Sequence, residues 1–324
     1  MKVVFYGSLI HHLQPTLLAK VKTPWTVERF LESDPKEDLA HALADAEVFI
    51  SMQWNKSFPA APKLKLLQSP GTGVDFIDFA AVPPGVRVCN CYGHAEGTAE
   101  YVLLALLLWC QMSYVPSDAS FRNERSWRYS GRVNGPINGE LYGKTVGIVG
   151  LGAIGRAVAE RLRGFGVSVL GCNRTARDVP HVDRQYPLER IDEFLAQCDY
   201  VVVAAALAPE TERLFDAKRF AAMKPSAVLV NVGRGQIADE DALWAALKEK
   251  RIRGATLDVW YAYPSNDNLT IAPSKHPFHE LDNVWMTPHI AAWTTGMVDR
   301  RWSEIARNLD SLVRGDMRRH PDVV

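Results

Sequence analysis

Short apolar runs alternate with amphipathic segments in the first part of the chain. The runs predict strands at residues 3–6, 48–51, 64–68 and 86–90. A helix is predicted at residues 36–46, because Leu39, Ala42 and Leu43 fall on one helical face. Strands that alternate with helices favour a parallel sheet.

The same alternation is more regular after residue 144. Strands are predicted at residues 145–149, 167–172, 200–205, 227–232, 255–259 and 284–287, and helices at 153–165 and 239–248. Asp239 is a suitable N-cap for the second of these helices. A last helix at 297–313 is expected to cross back to the first part through hinges near Glu96 and Pro288. The pattern predicts an α/β protein with two Rossmann-like, doubly wound parallel-sheet domains.

Composition narrows the class of protein. The 324 residues carry 37 Lys and Arg against 37 Asp and Glu, and a zero formal net charge argues against nucleic-acid or anionic-membrane partners. The most apolar stretch, residues 101–110, is much shorter than the ~20 residues that a bilayer span needs. The five cysteines lack disulfide or zinc spacing. We therefore expect a cytoplasmic protein with no metal site, membrane contact or nucleic-acid partner.

Residues 117–138 form a polar stretch that is too long for an ordinary loop. The stretch is rich in Arg, Asn, Ser and Gly. We expect an arm that is ordered by packing on a second copy of the chain. The sequence therefore predicts a homodimer formed through the nucleotide-binding domain and this arm.

A glycine pattern follows the strand at 145–149 and opens the next helix. Gly150, Gly152 and Gly155 have the Gly-x-Gly-x-x-Gly spacing. In this strand-to-helix context the first glycine makes a tight turn, the second lets a pyrophosphate approach the backbone, and the third packs the helix against the strand. The helix N-terminus, at Ala153 and Ile154, then faces the phosphates. The pattern predicts a dinucleotide site.

The end of the next strand bears on the choice between NAD and NADP. An NAD enzyme normally has Asp or Glu there, which accepts from the ribose 2′-hydroxyl. This chain has Asn173, Arg174 and Thr175, and no carboxylate before Asp178. Arg174 can pair with a 2′-phosphate and Thr175 can donate to it. NADP is therefore predicted over NAD, with the alternative that Arg174 stacks on the adenine or points to solvent.

Five ordered stretches resemble one known family. They are residues 69–75, 141–155, 231–235, 257–259 and 287–291, which read SPGTGVD, LYGKTVGIVGLGAIG, NVGRG, LDV and TPHIA. The chain resembles the D-isomer-specific 2-hydroxyacid dehydrogenases over nearly its whole length, a family that includes glyoxylate and hydroxypyruvate reductases. The resemblance implies a discontinuous substrate domain, residues 1–96 with 289–324, and a dinucleotide domain at 97–288.

The resemblance also implies the catalytic groups. Arg234 would orient the substrate carbonyl and carboxylate, and His289 would exchange a proton with the substrate oxygen. Hydride transfer to a ketone builds negative charge on oxygen, so a cation must stabilise it and an acid must protonate it. A histidine near its ordinary pKa serves either direction at neutral pH.

Further positions are implied to bind substrate or cofactor. Trp54 stands where a side chain often walls the substrate pocket, and Asp258 would accept from the nicotinamide carboxamide. The family's carboxylate cradle of backbone amides falls on Gly71, Thr72, Gly73 and Val74. The remaining predicted cofactor contacts are Ala205, Val232, Gly233 and Ala291.

One position departs from the family pattern. Tyr263 stands where a glutamate that pairs with the catalytic histidine is expected. A carboxylate both orients the imidazole and raises its pKa, whereas a neutral phenol does only the first. Three interpretations stay open. Tyr263 orients a histidine of lower pKa, or the site no longer performs hydroxyacid chemistry, or the histidine is reached by a carboxylate of the insertion 265–282, such as Asp267, Glu280 or Asp282.

The combined prediction is an NADP-preferring D-2-hydroxyacid dehydrogenase, with NAD as the possible alternative cofactor. It would mainly reduce a small 2-oxo acid bound between the two domains. Two rival predictions are a formate-dehydrogenase-like oxidation of a small acid and a non-enzymatic binding protein gated by its dinucleotide.

Overall fold

A computed structural model describes residues 1–7, 14–175, 178–264 and 268–316. The chain forms two compact units, Met1–Gly93 with Thr294–Val324 and His94–Trp293. These bounds lie a few residues away from the hinges predicted near Glu96 and Pro288. As a consequence His289 and Ala291 belong to the larger unit, and not to the smaller one as the predicted division had it.

The smaller unit is built on a five-stranded parallel sheet. Its strands are β1 (Lys2–Tyr6), β2 (Thr26–Phe30), β3 (Val48–Ile50), β4 (Leu66–Gln68) and β5 (Arg87–Cys89). The spatial order β2-β1-β3-β4-β5 is the flavodoxin-like doubly wound order. Strand β2 was not predicted, because this edge strand is polar and has no fully buried residue.

The helices flank both sheets. In chain order they are α1 (Lys36–Leu43), α2 (Ala95–Cys110), α3 (Tyr114–Glu124), α4 (Ala153–Leu162), α5 (Ile191–Leu195), α6 (Ala217–Ala222), α7 (Glu240–Lys248) and α8 (Thr295–Arg314). Helix α7 begins as predicted, because the Asp239 side chain accepts from the Ala242 amide at 2.9 Å. Helix α8 packs on the smaller sheet, where Trp302 and Leu309 share a core cluster with Phe5.

The larger unit contains a seven-stranded parallel sheet. Its strands are β6 (Thr145–Val149), β7 (Ser168–Asn173), β8 (Arg184–Pro187), β9 (Tyr200–Val203), β10 (Val228–Asn231), β11 (Gly254–Leu257) and β12 (Val284–Met286). The order β8-β7-β6-β9-β10-β11-β12 reverses direction between β6 and β9, which is where such sheets bind ligands. Strand β8 makes the seventh strand where six were predicted; Tyr186 is its one buried residue.

Two core clusters sandwich this larger sheet. Along β9, Val202 points into the cluster formed with α2 and α4, whereas Val201 and Val203 point into the cluster formed with α5, α6 and α7. Side chains that alternate between two covered faces make each central strand a continuous apolar run. This explains why the central strands were predictable from hydrophobicity alone.

The predicted arm at 117–138 is partly helical, since α3 covers its first residues and a short 3-10 turn spans Gly131–Val133. Its large apolar side chains are exposed, and the rings of Phe121 and Trp127 meet edge to face at 5.3 Å. Among the described residues, no single helix is long and apolar enough to cross a membrane; α2 and α3 reach that length and composition only together, and the pair is bent by 70°.

Candidate active site

The glycine turn lies at the sheet's reversal point, between β6 and α4. Gly150 has a φ of +93°, and a Cβ there would lie 2.6 Å from the Cα of Ala205. A Cβ on Gly155 would collide with the carbonyl oxygen of Gly150. Only glycine therefore fits at these two positions, the first for conformation and contact, the second for contact alone.

Gly152 differs from the other two glycines. A Cβ at this position would meet nothing within 4 Å, and the residue is exposed. It is the N-cap of α4, and no side chain caps the helix. The first amides of the helix, at Ala153 and Ile154, therefore need another acceptor. Open space beside an uncapped helix N-terminus fits the pyrophosphate of a dinucleotide.

The end of β7 carries the residues predicted to choose between NAD and NADP. Asn173 donates its side-chain amide to the Thr175 carbonyl at 3.2 Å. The Arg174 guanidinium pairs with the Glu210 carboxylate at 3.1 Å, and both side chains are exposed. A backbone hydrogen bond lowers the pKa of Glu210, and the hydrogen bond and charge of Arg174 lower this pKa further. Sequence reasoning missed Glu210 because it follows a different strand.

The loop after β10 positions Arg234. Buried Asn231 bridges the loop, since its side-chain amide donates to the Arg234 carbonyl at 3.0 Å and its oxygen accepts from the Gly233 amide at 3.1 Å. Gly233 lies so close to Ala205 that a Cβ would be 2.7 Å from the Ala205 carbonyl oxygen. Val232 is buried. The predicted cofactor positions Ala205 and Gly233 are thus brought together, and Asn231 is a positioning residue that the sequence did not indicate.

His289 lies in the loop after β12 and is exposed. Its backbone is left-handed, with a φ of 59°, a conformation that disfavours a non-glycine residue by about 1–2 kcal/mol. Buried Asp258, at the end of β11, holds the next two residues: its carboxylate oxygens accept from the Ile290 amide at 2.8 Å and the Ala291 amide at 2.9 Å. The left-handed conformation of His289 is retained because the two hydrogen bonds to Asp258 fix the residues that follow it.

Tyr263 contacts His289 directly. The phenol oxygen lies 3.0 Å from the imidazole Nδ1, and it also accepts from the Trp260 amide at 3.2 Å. Burial raises the pKa of Tyr263, and although the Trp260 amide and the Arg234 charge oppose that shift, the pKa stays above its ordinary value. Tyr263 is therefore a neutral phenol that contacts His289 and is within the electrostatic influence of Arg234.

Trp260 is a third residue that the sequence did not indicate. Its backbone amide reaches Tyr263, and its indole N–H donates to the Thr287 carbonyl at 2.9 Å. The side chain is buried against Phe278 in the larger core. Trp260 thereby ties the loop that carries Tyr263 to the loop that carries His289.

The insertion supplies no contact between a described carboxylate and Nδ1 of His289. Asp282 instead faces Lys250 at 3.2 Å, and Glu280 is exposed. Asp267 lies outside the described residues. Within the described ranges no group of three or more His, Cys, Asp or Glu side chains could hold a metal ion. The contact of Tyr263 with His289 is the geometry that the first interpretation requires, in which Tyr263 orients the imidazole.

The predicted carboxylate cradle lies in the smaller unit, in the loop after β4. Gly71 already donates its amide to Ser69 Oγ at 3.2 Å. The Thr72 carbonyl accepts from the Asn90 side chain at 2.8 Å, and the Val74 carbonyl accepts from the Ile77 amide at 3.0 Å. These bonds form a compact turn that includes Gly73. The Gly71 amide is already occupied by its bond to Ser69.

Trp54 belongs to the core of the smaller unit. It is 3% exposed, stacks on Phe58 with ring centroids 5.3 Å apart, and donates its indole N–H to the Ala81 carbonyl at 2.9 Å. Core packing accounts for this side chain. The predicted role as a wall of the substrate pocket is therefore not supported by its surroundings.

Comparisons with known proteins bear on this arrangement. A profile described as D-isomer specific 2-hydroxyacid dehydrogenase, NAD binding domain, matches residues 104–291. A glyoxylate reductase from Pyrococcus furiosus is 33% identical over 302 residues, which cover 90% of this chain and 86% of that protein. The chain belongs to the D-isomer-specific 2-hydroxyacid dehydrogenase family. Members of this family act on small 2-oxo and 2-hydroxy acids, and the larger unit is its NAD-binding domain.

Solved dehydrogenases of this family share the fold. A family protein from Aeromonas salmonicida has a TM-score of 0.81 and 28% identity, with coverage of 98% of this chain and 96% of that one. An NADPH-dependent glyoxylate/hydroxypyruvate reductase from Sinorhizobium meliloti, solved with NADP and sulfate, has a TM-score of 0.75 and 25% identity over 98% of this chain and 97% of that one.

Proposed function

We propose that this dehydrogenase reduces a small 2-oxo acid to the D-2-hydroxy acid with NADPH, in the manner of a glyoxylate or hydroxypyruvate reductase. The observation that carries the proposal is the contact of 3.0 Å between Tyr263 and Nδ1 of His289, within the electrostatic influence of the Arg234 charge. Carbonyl reduction needs an oriented acid and a cation, because the oxygen becomes negative and must then be protonated.

His289 is the proposed proton donor in reduction and the acceptor in oxidation. Tyr263 engages Nδ1, so Nε2 is the nitrogen that we assign to the substrate oxygen. Because the pKa of Tyr263 is raised, the phenol carries no charge at neutral pH. It orients the ring without adding the negative charge that would raise the pKa of the imidazole.

Arg234 is the proposed partner of the substrate oxygens. Its guanidinium is always charged and presents several donors in one plane, which suits the adjacent carbonyl and carboxylate of a 2-oxo acid. The Asn231 bridge holds its backbone. The turn at residues 71–74 is also proposed to bind the substrate carboxylate, with the contribution of Gly71 reduced because its amide already donates to Ser69.

The dinucleotide, when bound, supplies or accepts the hydride. Gly150, Gly152 and the first amides of α4 are the groups proposed to hold its pyrophosphate. Arg174 and Thr175 are proposed to contact a 2′-phosphate, which makes NADP the preferred cofactor. The pairing of Arg174 with Glu210 moderates that preference, since a 2′-phosphate would compete with a carboxylate already in contact.

Oxidation of NADPH and NADH, followed by absorbance with glyoxylate, hydroxypyruvate, pyruvate and phenylpyruvate, tests the proposal. We expect turnover of at least one oxo acid and a higher kcat/KM with NADPH. Formate with either oxidised cofactor is the discriminating control, and turnover of formate alone would favour the formate-dehydrogenase-like alternative. Tight dinucleotide binding without any turnover would identify a cofactor-gated binding protein.

We also propose that the protein is a homodimer formed through the arm at 117–138. Exposed aromatic and aliphatic side chains cluster there, among them Trp127 at 60% and Ile137 at 99% exposure. Apolar patches of this kind mark interfaces. Sedimentation velocity of the wild type and of Trp127→Asp tests this. We expect a dimer for the first and a weakened dimer for the second, and a wild-type monomer at micromolar concentration contradicts the proposal.

A further inference from the structure

Three side chains form a hydrogen-bonded relay beneath the His289 loop. Tyr101 comes from helix α2, Thr287 from the end of β12 and Asp258 from the end of β11. The Tyr101 hydroxyl lies 2.6 Å from Thr287 Oγ1. Thr287 Oγ1 in turn lies 2.6 Å from Asp258 Oδ1. The two short contacts join helix α2 to the carboxylate of Asp258, which binds the backbone of the loop that carries His289.

Hydrogen-bonding chemistry sets the direction of this relay. Both oxygens of Asp258 accept backbone N–H groups, so the carboxylate acts as an acceptor and the single Thr287 hydroxyl proton must point to it. Thr287 then has only acceptor capacity left for Tyr101, whose hydroxyl donates. Burial raises the pKa of Tyr101 to about 12, which keeps that proton in place at neutral pH.

The far end of the relay determines the backbone around His289. Asp258 binds the amides of Ile290 and Ala291, directly after the residue with the left-handed φ of 59°. A carboxylate that accepts one hydroxyl and two amides is held by all three donors, so removing one of them weakens the hold on its position. The loop conformation therefore depends on Thr287 and, one step further, on Tyr101.

We propose that Tyr101 and Thr287 are positioning residues, which hold the imidazole of His289 in place through the buried carboxylate of Asp258. Neither side chain needs to touch substrate or dinucleotide for this role. The effect on turnover rests on the proposed function of His289, whereas the effect on the loop does not. Two separate readouts therefore distinguish a failure of this inference from a failure of the proposed reaction.

The first readout is amide hydrogen exchange, measured by mass spectrometry on peptides that cover residues 288–293. Tyr101→Phe removes one hydroxyl and keeps the ring, and Thr287→Val removes the donor to Asp258 at nearly constant volume. We expect faster exchange in both variants, by about 5-fold or more for Thr287→Val, because an unsatisfied buried acceptor disrupts its other bonds. Thr287→Ser restores the hydroxyl and should restore protection.

The second readout is steady-state kinetics with the oxo acid that the wild type turns over. We expect kcat to fall about 5-fold in Tyr101→Phe and about 30-fold in Thr287→Val, with KM and the dinucleotide Kd changed less than about 2-fold, since a small displacement of a catalytic group acts on the chemical step. Thr287→Ser should recover most of kcat.

Tyr200→Phe is the matched control. Its hydroxyl lies 3.1 Å from Cys110 Sγ, at the opposite end of the same helix, and the residue is 4% exposed. This variant should leave both readouts unchanged. Unchanged exchange in Thr287→Val, or an equal effect in Tyr200→Phe, overturns the inference. If the wild type turns over no oxo acid but the two variants still exchange faster than it does, the relay is supported and only the proposed reaction is excluded.

Discussion

Two loops at the same edge of the larger sheet are built on opposite principles. The glycine turn at 150–155 has its shape because side chains are absent: a Cβ at Gly150 or Gly155 would strike the backbone. The loop at 287–291 has its shape because side chains from elsewhere hold it, among them Asp258 and Trp260. The first loop is specified by its own residues, whereas the second depends on partners about 30 positions away in the chain or more.

The difference bears on how each loop fails. A turn defined by steric exclusion is disrupted by adding one methyl group within it. A loop defined by hydrogen bonds is disrupted by removing one of their donors or acceptors, even at a distant position such as Asp258. The proposed function follows the same division, because a dinucleotide would need access to the backbone of the first loop and proton transfer would need an oriented imidazole on the second.

The largest effect is expected from removing the imidazole while the loop that carries it is kept. Asparagine tolerates the left-handed conformation, so His289→Asn should leave the fold and the dinucleotide Kd unchanged and lower kcat by about 10²–10⁴-fold. Steady-state kinetics with the best oxo acid measure this. The matched control is His276→Asn, because His276 stacks on Trp244 and pairs with Asp241 away from the loop. Retained turnover in His289→Asn would exclude this histidine as the proton donor.

The next largest effect separates the two kinds of glycine within the first loop. Gly155→Ala should lower the free energy of unfolding by about 1–3 kcal/mol, because its Cβ meets the Gly150 carbonyl oxygen. Gly152→Ala should leave the melting temperature unchanged and raise the dinucleotide Kd by about 10-fold or more, because its Cβ occupies open space where phosphate would approach.

Calorimetry and fluorescence titration of NADPH measure the two quantities. Gly164→Ala is the control, since Gly164 is exposed and its Cβ would also meet nothing within 4 Å. A Gly152→Ala variant that binds NADPH as the wild type does would show that the helix N-terminus is not the phosphate site.

A third change replaces the neutral partner of His289 by a charged one. In reduction the active form is the imidazolium, so kcat/KM falls as pH rises through the pKa of His289. Tyr263→Glu introduces a negative charge near Nδ1 and should move this fall to higher pH by about 1 unit. The raised pKa of Tyr263 means that the wild-type phenol does not titrate in this range. Identical pH profiles of kcat/KM in the two proteins would contradict the assignment.

Tyr263→Phe completes that test. It removes the hydroxyl that orients Nδ1 and adds no charge, so kcat should fall about 10-fold while the midpoint of the pH profile stays near that of the wild type. A shift of the midpoint in Tyr263→Phe equal to the shift in Tyr263→Glu would mean that the hydroxyl, and not the missing charge, governs the pKa of His289.

The smallest effect is expected at the exposed pair beyond β7. Glu210→Gln releases Arg174 from its carboxylate partner and should raise the ratio of kcat/KM for NADPH over NADH by about 2- to 5-fold, since exposed ion pairs contribute little. Arg174→Gln should lower the same ratio. Arg184→Gln, at a cation that contacts the Tyr186 ring, is the control. An unchanged ratio in both Arg174→Gln and Glu210→Gln would remove this pair from cofactor selection.

The sequence by itself determined the elements whose signals are local. Central strands such as β9 and β10 are predominantly apolar runs, because both of their faces are covered. The glycine spacing at 150–155 is a local signal as well, because it marks positions where a side chain does not fit. The prediction of an α/β protein with two parallel sheets is confirmed. The edge strands β2 and β8 were missed because a half-exposed strand has no apolar run to detect.

Only the tertiary structure decided which side chains meet at the site. The Tyr263 contact to His289 and the Arg174 pair with Glu210 each join segments that follow different strands. Trp54 illustrates the converse, since a position expected at a pocket is part of a core. The physical reason is that hydrogen bonds and ion pairs depend on distances of about 3 Å, which no local pattern of residue types encodes.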